Sequence, residues 1–471
     1  MKKILCLSFV ALFCATVFGQ TGTFPVVFHN NTKVYADSQI YVLFWVQNKY
    51  WVDKNGAVQP FVAADANAPG HYTKNGKNYA AVSVRLSDMV NFRCPTAVGG
   101  GRMYMSIGSP FLVNVSDGGF ALPDPQNPAD PMADTYWDWY ELAYTYNGLQ
   151  FGGNTTQVDI FGFPYSVKVC QSSTHFLDSC GISSSSGWSM PKIMKLFKDS
   201  MSAPFQASIK PTRIVAPQNS SQFYVGGAYA DYFKPMLDSL WTLWTAKPFT
   251  FKYGGSTWTI TGNGTDTVTV SGSNTGKMSK PTARSIWANN SFDQMSLNFV
   301  APLSSALCRG VARDSSWYND PSTYYHKSKI RSEFADLLHR ISIHNKAYGF
   351  GFDDNNNQSS VLIVGSSQPL DSLVIDFGSF EPLGPDGVVA VQQKSRVSSH
   401  AILTGANNVV LVQSTSPIEK VVLVSLNGKS MRKSLQVNNN TFSIAGFSSG
   451  TYVVRITDKQ GFTTTQKLYK K

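Results

Sequence analysis

D-T-Y-W-D-W-Y-E-L-A-Y-T-Y-N-G-L-Q-F-G-G-N-T-T-Q-V-D-I-F-G-F-P, Asp134 to Pro164, decides how this chain is read. β-branched and aromatic residues fill two arms, and a polar Gly-rich connection, Asn147 to Asn154, separates them. That pattern predicts two strands of a hairpin. Side chains alternate along a strand, so Trp137, Trp139, Glu141 and Ala143 share one face of the first arm. Asp138, Tyr140, Leu142 and Tyr144 share the other. On the second arm Thr155, Gln157 and Asp159 fall together, with Val158 and Ile160 on the core side. Glu141 and Asp159 thus lie on faces that are not simple core. Two carboxyls beside aromatic rings suit sugar chemistry, in which one protonates a leaving oxygen and the other activates water. Solvated surface carboxylates are the plainer alternative.

Outward from this stretch the chain is β-rich. F-P-V-V-F-H-N-N-T, Q-I-Y-V-L-F-W-V-Q-N and A-A-V-S-V-R-L are short β-prone runs between Asn, Gly and Pro clusters, at the spacing of a sandwich or barrel. From Ser189 the pattern changes. M-P-K-I-M-K-L-F-K-D-S-M and Ala230 to Trp244 have apolar residues at helical spacing, with Pro235 marking a start or a kink. Ser328 to Arg340 predicts another helix, and a three-strand meander lies between. Ala347 to Asp354 (A-Y-G-F-G-F-D-D) reads as a return to strand, with Asp353 a cleft-facing candidate and Asp354 a turn residue.

The central motifs, W-Y-E-L-A-Y and N-T-T-Q-V-D-I-F-G-F-P, resemble those of glycoside hydrolase family 64, the laminaripentaose-producing β-1,3-glucanases. G-G-R-M-Y-M-S-I-G (Gly100 to Gly108), A-L-C-R-G (Ala306 to Gly310) and Ala347 to Asp354 extend the resemblance over about residues 22 to 380. It implies a mainly β protein: a thaumatin-like β-barrel domain at 20–190 with return strands near 345–380. A mixed α/β domain at 191–344 would pack against it across a wide cleft. It also implies an inverting β-1,3-glucanase with Glu141 as acid and Asp159 as base. Trp139 and partial desolvation would serve the acid. Thr156, Asn154, Gln157, Trp139, Arg102 and Asp353 are the expected substrate contacts; for Arg102 a surface ion pair is the alternative. Were Gln150 the hairpin centre, Glu141 and Asp159 would face each other at about 5 Å. That is the separation of retaining enzymes rather than the roughly 6.5–9.5 Å of inverting ones. Inversion therefore rests on the resemblance. A non-catalytic thaumatin-like glucan-binding protein, or a surface adhesin, is the rival reading.

The chain opens Met-Lys-Lys with an apolar run from Ile4 to Phe18, which describes a signal peptide over 1–19. Four later cysteines in an exported protein suggest disulfides. They allow three pairings; the short loop favours Cys170–Cys180, leaving Cys94–Cys308. No metal-ligand spacing occurs among the cysteines or histidines, and no cofactor is expected. Net charge is +11, but residues 390–471 carry +9 and 20–389 are neutral. A basic patch on a nucleic-acid-binding fold is absent, which argues against that class. Residues 385–405 read as a linker. The end, 406–471, resembles the C-terminal sorting domain of the type IX secretion system, most clearly in S-S-G-T-Y-V-V-R-I and the Lys-rich terminus. A small accessory β-sandwich is the alternative. The expected partners are β-1,3-glucan and the type IX secretion machinery, for a monomer secreted or held at the cell surface.

Overall fold

A computed structural model describes residues 23–383, except 48, 96, 289–291 and 294, and the strands of 401–470 with some of their connections. The expected signal peptide and most of the expected linker lie outside the described residues. The chain divides into two compact units, 1–389 and 390–471. No described helix is long and apolar enough to cross a membrane.

The first unit is mainly β. Its largest sheet runs in the order Leu362–Val364, Phe151–Asn154, Tyr136–Thr145, Ala97–Ile107, Ile40–Val46, Tyr50–Val52, Val58–Pro60, with Val84–Arg85 beside Ile40–Val46. A five-stranded sheet orders Phe176–Gly181, Tyr165–Gln171, Ser372–Phe377, Phe24–Asn30 and Arg93–Cys94. Alternation sorts the large sheet's side chains. Phe44, Met103, Tyr140, Leu142 and Tyr144 go to one buried cluster, together with Val26, Val167 and Ile375 of the second sheet. Leu43, Tyr104, Trp137 and Trp139 go to a separate cluster on the opposite face. The two faces read from 136–145 are those observed.

The helices add to the first core. Met190–Ser200 and Lys234–Ala246 both carry Pro in the first turn, where its missing N–H costs no intrahelical bond. Pro235 therefore starts its helix. Ile193, Phe197, Leu240 and Trp244 pack into the same cluster as the sheet residues. Leu297–Cys308 was not foreseen. The helix expected from Ser328 begins at Glu333, because the Ser332 side chain caps it by accepting from the Ala335 N–H. Phe249–Tyr253, Ser256–Gly262, Thr267–Ser271 and Gly276–Ser279 form the meander.

Two expectations fail locally. Thr155 to Asp159 is not a strand; pairing ends at Asn154, and Thr156 turns to φ +42°. Ala347 to Asp354 is also irregular, because the buried Asp353 side chain takes the Gly349 N–H into a turn.

The expected disulfides are absent: all four cysteines are free. Cys180 pairs with Val167, and Cys170 with Leu177. Cys170 lies three positions along the strand from Val167, an odd step, so the two thiols leave opposite faces and cannot meet. Cys94 is a strand residue of the five-stranded sheet, whereas Cys308 ends a helix and directs its thiol to the Ile286 carbonyl at 3.5 Å.

In the second unit, strands Ala401–Thr404, Val409–Gln413 and Thr441–Ser443 form one sheet. Arg432–Leu435, Ile418–Ser425, Gly450–Asp458 and Thr463–Lys470 form another. Val421, Leu423, Phe442, Val454 and Leu468 share a core drawn from both sheets. Ala401–Thr404 is strand where the sequence suggested linker.

Candidate functional site

Register places Glu141. In Tyr136–Thr145 it stands opposite Arg102 on one side and Asn154 on the other. The hairpin centre therefore falls between Asn147 and Gly148, not at Gln150. Asn147, at φ +55°, is the left-handed third residue of the Thr145–Gly148 turn, in which the Gly148 N–H donates to the Thr145 carbonyl at 2.9 Å. Arg102 donates from Nε to Glu141 Oε1 at 2.7 Å, and its Nη2 approaches the same oxygen at 2.7 Å. Its Nη1 reaches the Tyr104 hydroxyl at 3.4 Å, and the guanidinium lies 5.5 Å from the Trp45 ring centroid. Arg102 and Glu141 side chains are 32% and 27% exposed, so the pair is half-buried rather than a loose surface bridge.

Asp159 arrives by another route. After Asn154 the chain leaves the sheet, passes through Thr156 and re-enters pairing at Ile160–Phe161, opposite Arg213–Val215. The Ala216 N–H donates to the Asp159 carbonyl at 2.9 Å. The amides of Gln218 and Asn219 both donate to Asp159 Oδ1, at 2.9 and 2.6 Å. Two neutral donors on one oxygen fix the carboxylate's direction without adding charge.

A cavity of about 150 Å³ opens beside it, lined by Tyr104, Trp137, Trp139, Asp159 and Asn219, with Leu122, Pro123 and Pro125 as a further wall. Trp137 and Trp139 stack at 5.8 Å and 19°, and Tyr104 lies 5.7 Å from Trp139. Burial pushes the Tyr104 hydroxyl up to about 12; Arg102 opposes that shift, while Glu141 and Asp159 add to it. Arg102 bridges Glu141 to the Tyr104 hydroxyl, and Tyr104 lines the cavity together with Asp159. That links the two acids to one site, although they come from different elements.

The other expected residues divide. Asn154 is half-buried across from Glu141, and its Oδ1 is a buried oxygen without a hydrogen-bond donor. Trp139 faces the cavity. Thr156 is buried, with a β-branched side chain at positive φ, a conformation costing about 1–3 kcal/mol that clusters at functional sites. Gln157 is buried and occupied: its Oε1 accepts from Thr155 Oγ1 at 2.9 Å and from the Tyr348 N–H at 3.4 Å.

Asp353 lies elsewhere, fully buried. It bonds Arg309 Nη2 at 3.1 Å, His339 Nε2 at 3.0 Å and the Gly349 N–H at 2.9 Å. It is an internal anchor and not a cleft residue. Sequence reading missed Tyr104, Gln218 and Asn219. Tyr104 was findable, two residues from Arg102 on the same face. Among the described residues no three His, Cys, Asp or Glu side chains converge as a metal site would.

The β-1,3-glucanase family profile, glycoside hydrolase family 64, matches residues 22–374, and that of a secretion system C-terminal sorting domain matches 405–471. The β-1,3-glucanase domain from Clostridium beijerinckii is 25% identical over 77% of this chain and 100% of that one, with a TM-score of 0.66. The laminaripentaose-producing β-1,3-glucanase from Paenibacillus barengoltzii is 26% identical over 76% of this chain and 75% of that one, with a TM-score of 0.61. That enzyme has also been solved with laminarihexaose bound. No curated protein sequence matches the chain. With three quarters of its length matched by the family profile, this chain belongs to the family 64 β-1,3-glucanases.

Proposed function

We propose that the protein is an exported hydrolase that cuts β-1,3-glucan with inversion, using Glu141 as general acid and Asp159 as general base, and releases short laminari-oligosaccharides. The observation that carries this reading is the pair of carboxylates that Tyr104 connects, Glu141 through Arg102 and Asp159 across the shared cavity, where Gln218 and Asn219 clamp it. Glu141 faces Asn154 across the hairpin, not Asp159. Strand pairing therefore does not impose the roughly 5 Å separation that serves a covalent intermediate. In the reaction Glu141 gives a proton to the departing glycosidic oxygen. Asp159 takes one from the water that attacks the anomeric carbon from the opposite side. Trp139 and Tyr104 wall the reacting sugar, and Asn154, Thr156 and Arg102 hold it. The site lies in a wide cleft flanked by the β-sheet domain and the helical part of the first unit.

The sorting domain addresses the protein to the type IX machinery, after a signal peptide over 1–19 takes it to the periplasm. It acts as a monomer, either released or at the cell surface.

The test is hydrolysis of soluble β-1,3-glucan by wild type, Glu141→Gln and Asp159→Asn, with binding measured alongside and the anomeric form of fresh product read by NMR. The proposal expects α-anomers from wild type, and lost cleavage with retained binding in both variants. β-anomers would overturn inversion. Glucan bound but uncut by wild type would leave a lectin-like module.

A further inference from the structure

The register of the large sheet lines up one side chain from each of six consecutive strands. Gln59 faces Trp51, Trp51 faces Trp45, Trp45 faces Arg102, Arg102 faces Glu141 and Glu141 faces Asn154. Directly paired residues project from the same face, so the six form a row at right angles to the strands. Every one is half-buried. On one side of the row the same face is buried, at Leu43, Tyr104 and Trp139. On the other side it is mixed: Gln47 is exposed and Gly100 partly exposed, while Ala143 and Phe61 are buried. The middle of the row, at Trp45 and Arg102, is thus where the outer-face cluster meets solvent. With strands about 4.8 Å apart, five steps make it about 24 Å long.

We infer that this row is the track on which the polysaccharide chain lies, and that Trp45 and Trp51 are stacking subsites reached from Glu141 in the direction away from Asn154. The inference rests on the reading of Glu141 as catalytic. The row's chemistry fits a neutral glycan. The two indoles are half-buried against the outer-face cluster and present their remaining apolar surface to sugar C–H faces. The amides of Gln59 and Asn154 offer both donors and acceptors for hydroxyls. The only charges, Arg102 and Glu141, neutralise each other. A nucleic-acid track would need an excess of positive charge. Gln59 is itself held in place by donating to Asp53 Oδ2 at 2.9 Å. Trp51 stands three strand steps, about 14 Å, from Glu141, so a chain must span several sugar units before it touches that indole.

The experiment compares wild type, Trp51→Ala and Trp51→Phe on soluble linear β-1,3-glucan and on β-1,3-linked glucose oligomers of increasing length. Lost stacking raises KM for the polymer about three- to tenfold with kcat near wild type, and Phe restores most of it. The penalty is absent for di- and trisaccharides and appears above a threshold length. Unchanged KM at every length overturns the track. So does an equal loss at every length, which is the mark of a damaged fold. Binding of the polymer is measured in parallel for Glu141→Gln and for Glu141→Gln combined with Trp51→Ala. Full hydrolysis by Glu141→Gln would remove the acid assignment, while weaker polymer binding with Trp51→Ala would still uphold the track.

Discussion

Replacing Asp353 by Asn separates a structural from a substrate-binding carboxylate. The side chain is fully buried, and its Arg309 partner is 1% exposed. Arg309 also reaches the carbonyls of Asp353 and Asn355, both at 3.0 Å, and its guanidinium lies 4.6 Å from the Tyr324 ring. Removing the negative charge leaves this cation in a dry interior without its counter-ion. Breaking one partner of a buried pair costs about 3–5 kcal/mol. An amide in the same place also turns an N–H₂ toward donors from Arg309, His339 or Gly349, which places the expected loss at the upper end. Denaturant unfolding of the catalytic unit gives the stability, and initial rates on soluble β-1,3-glucan below the unfolding range give KM. The expected result is a loss of about 4 kcal/mol with KM within twofold of wild type. A variant as stable as wild type but with KM raised tenfold would refute the reasoning and return Asp353 to the substrate. The wild type has a matching acid signature. Burial works to raise the Asp353 carboxyl, but His339, Arg309 and the Gly349 N–H outweigh it and hold it below the ordinary range. Its contribution is therefore complete above the unfolded value of about 3.9 and is lost as pH falls through the folded one.

Arg102→Met removes the half-buried partner of Glu141; stability should fall by only about 1 kcal/mol while kcat falls at least tenfold, as read by thermal melts and steady-state rates. Burial pushes the Asp138 carboxyl up to about 8, against hydrogen bonds from the Gly162, Trp139 and Phe163 N–H groups and the Arg213 charge. Its stabilisation is full below about pH 4 and drains away as pH rises toward 8, at up to ~1.4 kcal/mol per unit, and Asp138→Asn should flatten that slope in denaturant midpoints. Gly162→Ala would bring a Cβ within 1.8 Å of the Trp137 carbonyl oxygen, a backbone atom that cannot step aside. The expected outcome is a loss of more than about 3 kcal/mol or failure to fold, judged by soluble yield and circular dichroism. Alkylation of the unfolded chain should label Cys94, Cys170, Cys180 and Cys308 equally with and without prior reduction, and a mass difference between the two would restore a disulfide.

The alternation of Trp137 to Tyr144 was legible because a strand buried on both faces still sorts its side chains every second residue. That is why Glu141 was placed on the correct face beside Trp139. Register was not legible in the same way. It depends on which residues make the turn, and the Asn147-Gly148 signal competed with the Gly-Gly-Asn that follows. A centre at Gln150, two and a half residues too late, would move the partner of Glu141 from Asn154 to Asp159, and the sequence left that register open. The donors to Asp159, Gln218 and Asn219, lie some sixty residues away, and nothing in local pattern links them to it. Asp353 carried a polar residue's usual expectation of water. Only the long-range meeting of Arg309 and His339 reveals an interior ion. The cysteines misled for a related reason: number and spacing say nothing of which face of a sheet a thiol leaves.

The shared core of the first unit bears on how the site can work. Ile193, Phe197, Leu240, Trp244, Phe299 and Phe334 from the helices sit in one apolar cluster with Phe44, Tyr140 and Ile375 from the two sheets. Residues that share an interior at close-packed density unfold together, so sheets and helices form one cooperative block. Swinging the helices against the sheets would tear that interior. The glucan must therefore be met by a surface whose shape is set in advance, and selectivity has to come from contacts along the chain rather than from closure around it.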